Sequence, residues 1–255
     1  MSSQFLEQQT ICISAVPGAL AHLLGAMINH AANPASALPN WSDDATIDNW
    51  PSQAAWDVFE DLAADMDLAS LKNLIQKSSL TTNSDTQQVI FSRVLDPASL
   101  TELFPNSRCI QITVDQQDAD QIGYNALFHE CYPKKNYSRT SQAIANAAGF
   151  LNVSGNWQDI DSLLEEPMHR DNIMIKCASI GVGVMSVKAC AAHDSAAARV
   201  VPYRKLYPYW KYDRTAAAQE LVALLDWLDI EANPADMAQI WQQMLPKINH
   251  IQAYK

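Results

Sequence analysis

The chain has 255 residues, 48% of them hydrophobic, and carries 28 acidic against 17 basic side chains, for a net charge of −11. A chain of this length can form one large α/β domain or two small ones, and the order of its elements predicts a single domain over residues 1–255, with a helical C-terminal portion at 214–250. The charge argues against extended nucleic-acid binding, which needs a basic surface. The five cysteines include no CxxC pair, so we expect neither a disulfide framework nor a metal site.

The N-terminal segment shows no targeting signal. Residues 1–9 are polar, and Pro17 interrupts the apolar run that follows them. No apolar stretch reaches about 18 residues, so we expect no signal peptide and no membrane span. A cytoplasmic location is the resulting expectation.

Residues 9–32 have the pattern of a strand, a turn and a helix. Thr10–Val16 is nearly all apolar, as is typical of a strand buried on both faces, and the turn leads into an apolar helix. The N-terminal N–H groups of such a helix can hold an anion. The backbone of five residues would form that site if anion binding is retained: Pro17, Gly18, Ala19, Leu20 and Ala21. No Lys or hydroxyl follows Gly18, unlike in a Walker loop, so an ordinary strand–turn–helix corner is the alternative.

The next part of the chain alternates helices and strands. The pattern predicts a loop at Asn33–Ser52, a helix at Ser52–Lys77, a strand at Gln88–Val94, a helix at Ala98–Phe104, a strand at Arg108–Val114 and a helix at Asp118–Cys131. Asp96-Pro97 is a helix start, with Asp96 as the N-cap. This order indicates a mostly parallel central sheet flanked by helices, joined by right-handed crossovers.

The C-terminal half contains one ambiguous stretch. Ile173–Ala191 is rich in β-branched residues and contains Gly181 and Gly183, which favour two short strands or a bulged one over a buried helix. The other predicted elements are helices at Ser141–Leu151 and Asp159–Glu166, a strand at Arg199–Tyr203, and two amphipathic helices, one with Leu221, Leu224, Leu225 and Leu228 and one with Trp241, Met244, Leu245 and Ile248.

A basic and aromatic segment lies at Arg199–Arg214, with five of the 17 basic residues in 16 positions. Tyr, Trp and Arg favour the centres of protein interfaces, so this segment is a candidate partner-binding surface. Its candidate residues are Arg204, Tyr207, Tyr209, Trp210 and Lys211. Two alternatives stay open: a nucleotide clamp, and a loop whose aromatic rings lie under the sheet while the cations stay in solvent.

No local pattern assigns a catalytic residue. His22 and His30, eight residues apart on the first helix, could flank a cleft with one as general base, or lie on the helix face and at its end. His129-Glu130 is not a metalloprotease motif, because position 133 is Pro. His193 has no Cys or His partner at metal-ligand spacing.

Three segments share an order of elements with a known family. They are Ile11–Leu24 (ICISAVPGALAHLL), Leu103–Val114 (LFPNSRCIQITV), and Val201–Tyr207 (VPYRKLY) with the helix that reaches Leu228-Asp229-Ile230. Together they resemble the sulfotransferase-like branch of the P-loop proteins, including divergent members from phages of marine bacteria. The first two stand at the places of the 5′-phosphosulfate loop and of the strand before the 3′-phosphate site. The resemblance covers most of the chain, and no single motif in it is specific.

The resemblance implies 3′-phosphoadenylyl sulfate as cofactor, and this chain lacks the residues that hold it. Where the family has Lys and Ser or Thr in the first loop, this chain has Ala and Leu. Asp115 takes the place of the phosphate-binding Arg, and Gly123 that of the Ser. A carboxylate repels a phosphate. We therefore expect that no cofactor binds in the usual way.

Two functions follow from the resemblance. The first is a non-catalytic sulfotransferase-like protein that serves as a structural or interaction subunit of a viral or other assembly. It would have a protein partner or form an oligomer, in the cytoplasm or in a virus particle assembled there. The alternative is an active transferase that uses a phosphosulfate nucleotide donor. The missing Lys, Arg and Ser favour the first, and the Pro17-Gly18 turn and the basic segment favour the second.

Overall fold

A parallel sheet organises the part of the chain that the computed structural model describes: residues 10–32, 34, 40–41, 47–48, 63–77, 89–126, 173–208 and 213–248. The strands of this part of the chain are, in order, β1 (Ile11–Ser14), β2 (Asn40–Trp41), β3 (Ile47–Asp48), β4 (Val89–Ser92), β5 (Arg108–Thr113) and β6 (Arg199–Pro202). Four of them form one all-parallel sheet in the order β4-β1-β5-β6, and β2 and β3 form a separate antiparallel pair. The expected α/β class with a parallel sheet is confirmed.

Helices lie on both faces of this sheet. In chain order they are α1 (Ala21–Ala32), α2 (Leu68–Lys77), α3 (Pro97–Leu103), α4 (Ala119–Asn125), α5 (Ile173–Ala192), α6 (Tyr203–Leu206), α7 (Arg214–Trp227) and α8 (Pro234–Ile248). A short 3₁₀ helix, Gln116–Asp118, precedes α4. No helix of the described part is both long and apolar enough to cross a membrane.

Alternating side chains of β1 divide the core into two parts. Ile11 and Ile13 face a large cluster that includes residues of α1, α7 and α8, and we call this side the isoleucine face. Cys12 points to the opposite side, the cysteine face, where it packs with Cys109 and with Leu100 of α3. Because both faces are covered, β1 has no exposed residue, which explains its uninterrupted apolar sequence.

Several predicted elements are confirmed. The Asp96 side chain caps α3 by accepting a hydrogen bond from the Ser99 N–H, with Pro97 in the first helical turn. The leucine stripe of α7 is buried, as is Trp241 of α8. Helix α1 begins at Ala21, because Leu20 has a φ of 56° and therefore cannot belong to a right-handed helix.

The prediction of short strands over Ile173–Ala191 is wrong, because this stretch is helix α5. Its buried residues Val182, Ser186 and Cys190 recur every four positions, which is the period of one helix face. Gly183, the residue that argued against a helix, lets α5 lie directly against α4. A Cβ built on Gly183 would stand 1.8 Å from the carbonyl oxygen of Ala119. Close helix packing therefore outweighs the local preference of glycine and β-branched residues for other structures.

One remaining prediction differs slightly from the structure, and others fall on residues that the structure does not describe. The predicted loop at Asn33–Ser52 contains the β2–β3 pair. The predicted helices at Ser141–Leu151 and Asp159–Glu166 lie outside the described residues, as do residues 52–62 and 127–131 of two further predicted helices.

Candidate functional site

The loop after β1 lies at the carboxyl end of a central strand, which is where open α/β sheets bind their ligands. Gly18 has a φ of 87°, and two residues later Leu20 also adopts a left-handed backbone. The N–H of Ala19 donates to the carbonyl of Val16, at 3.0 Å, and so closes a turn. Ala19 and Leu20 are fully buried. The five residues whose backbone would form an anion site if binding is retained, Pro17 to Ala21, thus lie largely inside the protein.

Side chains from later in the chain hold the carbonyl oxygens of this loop. Three such hydrogen bonds, each 2.9 to 3.0 Å long, join the loop to α4, α5 and the end of α6: Ser186 to Pro17, Asn125 to Gly18, and the Tyr207 hydroxyl to Leu20. The loop therefore serves as an acceptor for hydrogen bonds from the protein itself, and it connects three helices to the sheet.

Asn125 is the centre of a buried polar network. Its amide nitrogen donates to Gly18 O at 3.0 Å and to the Tyr203 hydroxyl at 2.9 Å. Its amide oxygen accepts from the Gln121 side chain at 2.9 Å. Asn125 and Tyr203 are fully buried. Such a network fixes one arrangement of α4 and α6 against the loop, because each buried polar atom depends on its partner.

Helix α4 also contacts the loop backbone directly. A Cβ built on Gly18 would stand 1.9 Å from the carbonyl oxygen of Ile122. Only glycine permits this approach, and a φ of 87° favours glycine as well. The space beside the turn is therefore filled by a helix of the chain.

The second place that the resemblance assigned to phosphate binding contains an ion-pair cluster. The Asp115 carboxylate accepts from the Gln117 N–H at 2.8 Å and so caps the 3₁₀ helix. Arg204 pairs with Asp115 at 3.0 Å and with Asp118 at 2.9 Å. The Asp118 side chain is only 2% exposed. Arg204 therefore neutralises carboxylates of its own chain, one of them buried.

The candidate partner-binding residues occupy different environments. Tyr207 is fully buried, and its ring lies 5.5 Å from that of Trp241, in the core and away from the surface. The Arg204 side chain is 36% exposed and points to the two aspartates. Tyr209, Trp210 and Lys211 lie outside the described residues. Of the two candidates that the structure describes, Tyr207 lies in the core and Arg204 beside the aspartates, and the interpretation with aromatic rings under the sheet fits Tyr207.

A row of polar side chains crosses the cysteine face over three strands, at the carboxyl ends of β4 and β1 and within β5. Ser14 is in register with Ser92 on one side and with Gln111 on the other. All three are fully buried. The Ser14 hydroxyl donates to Leu95 O at 2.8 Å, and neither amide atom of Gln111 has a hydrogen-bond partner among the residues that the structure describes.

An aspartate and a histidine interact near this row, at the start of α3 and the end of α5. Burial opposes ionisation of Asp96, but hydrogen bonds from Ser99 and the proximity of His193 lower its pKa overall. Burial lowers the pKa of His193, and the Asp96 charge only partly offsets this. At neutral pH the pair is therefore a carboxylate beside a neutral imidazole. The pairing could not be found from the sequence, because 97 positions separate the two residues and neither lies in a motif.

The His193 environment predicts a loss of stability in acid. The unfolded chain binds a proton near the usual pKa of 6.5, and the folded chain binds it only at lower pH. The free energy of unfolding should therefore fall as pH decreases from about 6.5 towards the folded pKa, and it should be unaffected above that window. Urea unfolding at about pH 7.5 and about pH 5.5 should show a smaller decrease for His193→Gln than for the wild type. Equal decreases in both proteins would show that His193 does not titrate in a buried environment.

The buried thiols of Cys12 and Cys109 are not activated as nucleophiles. Burial raises the pKa of the Cys12 thiol to about 11, and burial together with the neighbouring Cys12 and Asp96 raises that of Cys109 to about 12. Both thiols are protonated at neutral pH, and a protonated thiol reacts poorly. Among the described residues, no group of three or more His, Cys, Asp and Glu side chains is placed to hold a metal ion.

Comparison with known proteins places the chain in no established family. No protein-family model, no curated protein and no solved structure matches it. The site must therefore be interpreted from its own chemistry.

Proposed function

We propose that the protein is a non-catalytic relative of the sulfotransferase-like P-loop proteins that serves as a structural or interaction subunit of a larger assembly, such as a viral one. One observation carries the proposal. In the loop that would have to hold phosphate, the Ala19 N–H is already bonded to the carbonyl of Val16, and helix α4 fills the space beside Gly18. A phosphate cradle instead needs N–H groups and cations directed at the ligand.

The charges near the loop support the same proposal. Binding a nucleotide bisphosphate requires cations to offset its negative charge. Arg204 already pairs with Asp115 and Asp118, and Asp115 itself would repel a phosphate. The neutral His193 and the protonated thiols of Cys12 and Cys109 add no activated nucleophile.

Nucleotide binding tests the non-catalytic part of the proposal. A ligand at 100 times its Kd stabilises the folded state by about 2.7 kcal/mol, which a thermal-shift assay detects readily. The proposal expects no nucleotide site. Adenosine 3′,5′-bisphosphate and 3′-phosphoadenylyl sulfate, each at about 1 mM, should therefore leave the Tm unchanged. A saturable rise in Tm, supported by calorimetry, would overturn the proposal and favour the alternative, an active transferase with a phosphosulfate donor.

Light scattering tests the interaction part. The chain alone has a mass of 28.2 kDa. We expect either a larger mass that depends on protein concentration, or co-sedimentation with a large assembly from the source cells. A monomer at every concentration that also sediments alone would contradict a role as a subunit.

A further inference from the structure

The two C-terminal helices leave a cleft open between them. The cleft has a volume of about 840 Å³, and residues of α7, α8 and the connecting turn line it. Its lining runs along α7 from Thr215 to Asp226 and along α8 from Pro234 to Gln242. At a rise of about 1.5 Å per residue, these stretches are about 12 to 17 Å long, which matches two to three turns of a further helix.

The floor of the cleft is apolar, and its side chains are mostly short. Val222, Ile230 and Met237 provide apolar surface, and alanines such as Ala223 and Ala238 allow close approach. Small side chains let two helix backbones come near each other, and an amphipathic helix commonly binds in an apolar groove between helices. The shape and lining therefore fit an amphipathic helix.

The charge of the cleft lies at one end and has one sign. Asp226, Asp229 and Glu231 line it near the connecting turn, and no Lys, Arg or His is among its lining residues in the part of the chain that the structure describes. Asp229 pairs with Arg108. Asp226 and Glu231 are exposed, and neither carboxylate has an ion-pair partner among the described residues. Two carboxylates at one end of an apolar cleft complement a partner with basic residues at one end of its apolar face.

We infer that this cleft binds a short amphipathic helix of a partner protein, with Arg or Lys at the end that meets Asp226 and Glu231. The inference rests on the proposed role as an interaction subunit and specifies the chemistry of its partner. The apolar floor supplies affinity, and the two carboxylates set the direction of the bound helix and exclude acidic partners.

A pair of designed peptides tests the inference on the full-length protein. The probe is a fluorescein-labelled 14-residue helical peptide with Leu at helical spacing and two Arg in its last turn, and its partner peptide has Glu at the two Arg positions. Fluorescence anisotropy should show saturable binding of the Arg peptide and binding at least about tenfold weaker for the Glu peptide. No binding of the Arg peptide, or equal binding of both, would overturn the inference.

Variants of the protein locate the binding. Asp226→Lys and Glu231→Lys should each weaken binding of the Arg peptide by about tenfold. The same charge reversal at exposed Asp120 on α4 should leave the binding unchanged. Ala223→Trp should block the cleft without changing its charge. Equal losses for Asp120→Lys would show attraction by net charge alone, which overturns the inference. If instead Ala223→Trp dissociates a homo-oligomer, a second copy of the chain fills the cleft, and the inference is wrong about the partner.

The outcomes separate this inference from the proposed function. Failure of the peptide to bind, with a large assembly still seen by light scattering, removes the cleft inference and leaves the subunit role intact. Binding of a nucleotide together with specific peptide binding removes the non-catalytic role and leaves the cleft.

Discussion

Gly18→Ala should destabilise the protein by at least about 4 kcal/mol. This is a large part of the free energy of unfolding of a typical domain, which is about 5 to 15 kcal/mol. Two effects add. Gly18 has a φ of 87°, where a Cβ costs about 1 to 2 kcal/mol. The new methyl carbon would also stand 1.9 Å from Ile122 O. This oxygen belongs to the backbone, so it cannot move aside as the end of a flexible side chain can. The loop and α4 would therefore have to separate, which would disturb the hydrogen bond from Asn125 to Gly18 O.

Gly25→Ala is the matched control, because it makes the same chemical change seven residues later. Gly25 lies in α1, and an added Cβ would meet its nearest neighbours, side-chain atoms of Val89 and Ile13, at 3.5 and 3.7 Å, which is ordinary contact. Replacing glycine by alanine inside a helix stabilises it by about 0.5 to 1 kcal/mol. The two substitutions should thus have opposite signs.

Thermal unfolding followed by circular dichroism measures the difference. For a chain of this size about 1 kcal/mol corresponds to about 2 to 4 °C, so Gly18→Ala should lower the Tm by at least about 8 °C, and Gly25→Ala should raise it slightly. A Gly18→Ala protein within about 2 °C of the wild type would show that α4 does not pack against the turn.

The strand–turn–helix at the start of the chain could be predicted because its causes are local. An apolar run buried on both faces predicts β1, and Pro17-Gly18 predicts the turn. The groups that decide what the turn does are distant. Asn125 lies 107 positions from Gly18, and Tyr207 lies 187 positions from Leu20. No pattern in a single sequence relates such positions, so the hydrogen bonds that the turn makes with these residues could not be foreseen.

Helix α5 is a second case in which contacts between distant parts of the chain outweigh the local sequence preference. Its glycines and β-branched residues favour strands locally, and the helix forms because Gly183 fits against Ala119 of α4. The Asp96 cap, in contrast, depends only on residues within three positions of it and could be predicted. The elements found from sequence are therefore those stabilised by near neighbours, and the contacts that define the candidate site are made between elements.

Arg204→Met should cost about 3 to 5 kcal/mol, because it leaves the buried Asp118 carboxylate without its cation. The change keeps most of the apolar stem and removes the charge. The Asp118 side chain is 2% exposed, so water cannot replace the guanidinium of Arg204. Lys205→Met, at the adjacent position, is the control. The Lys205 side chain is 59% exposed and lies 4.0 Å from Glu220, and such surface pairs contribute about 0 to 1 kcal/mol to stability.

A double-mutant cycle distinguishes loss of the ion pair from loss of packing. If the buried charge causes the damage, Asp118→Asn should restore much of the stability of Arg204→Met, because a neutral amide needs no counter-ion. Urea unfolding of the wild type, both single variants and the double variant gives the coupling free energy, which should reach at least about 1 kcal/mol. Additive losses would mean that Arg204 does not neutralise Asp118. The case against an anion site beside Asp115 would then lose the part of its electrostatic basis that depends on Asp118.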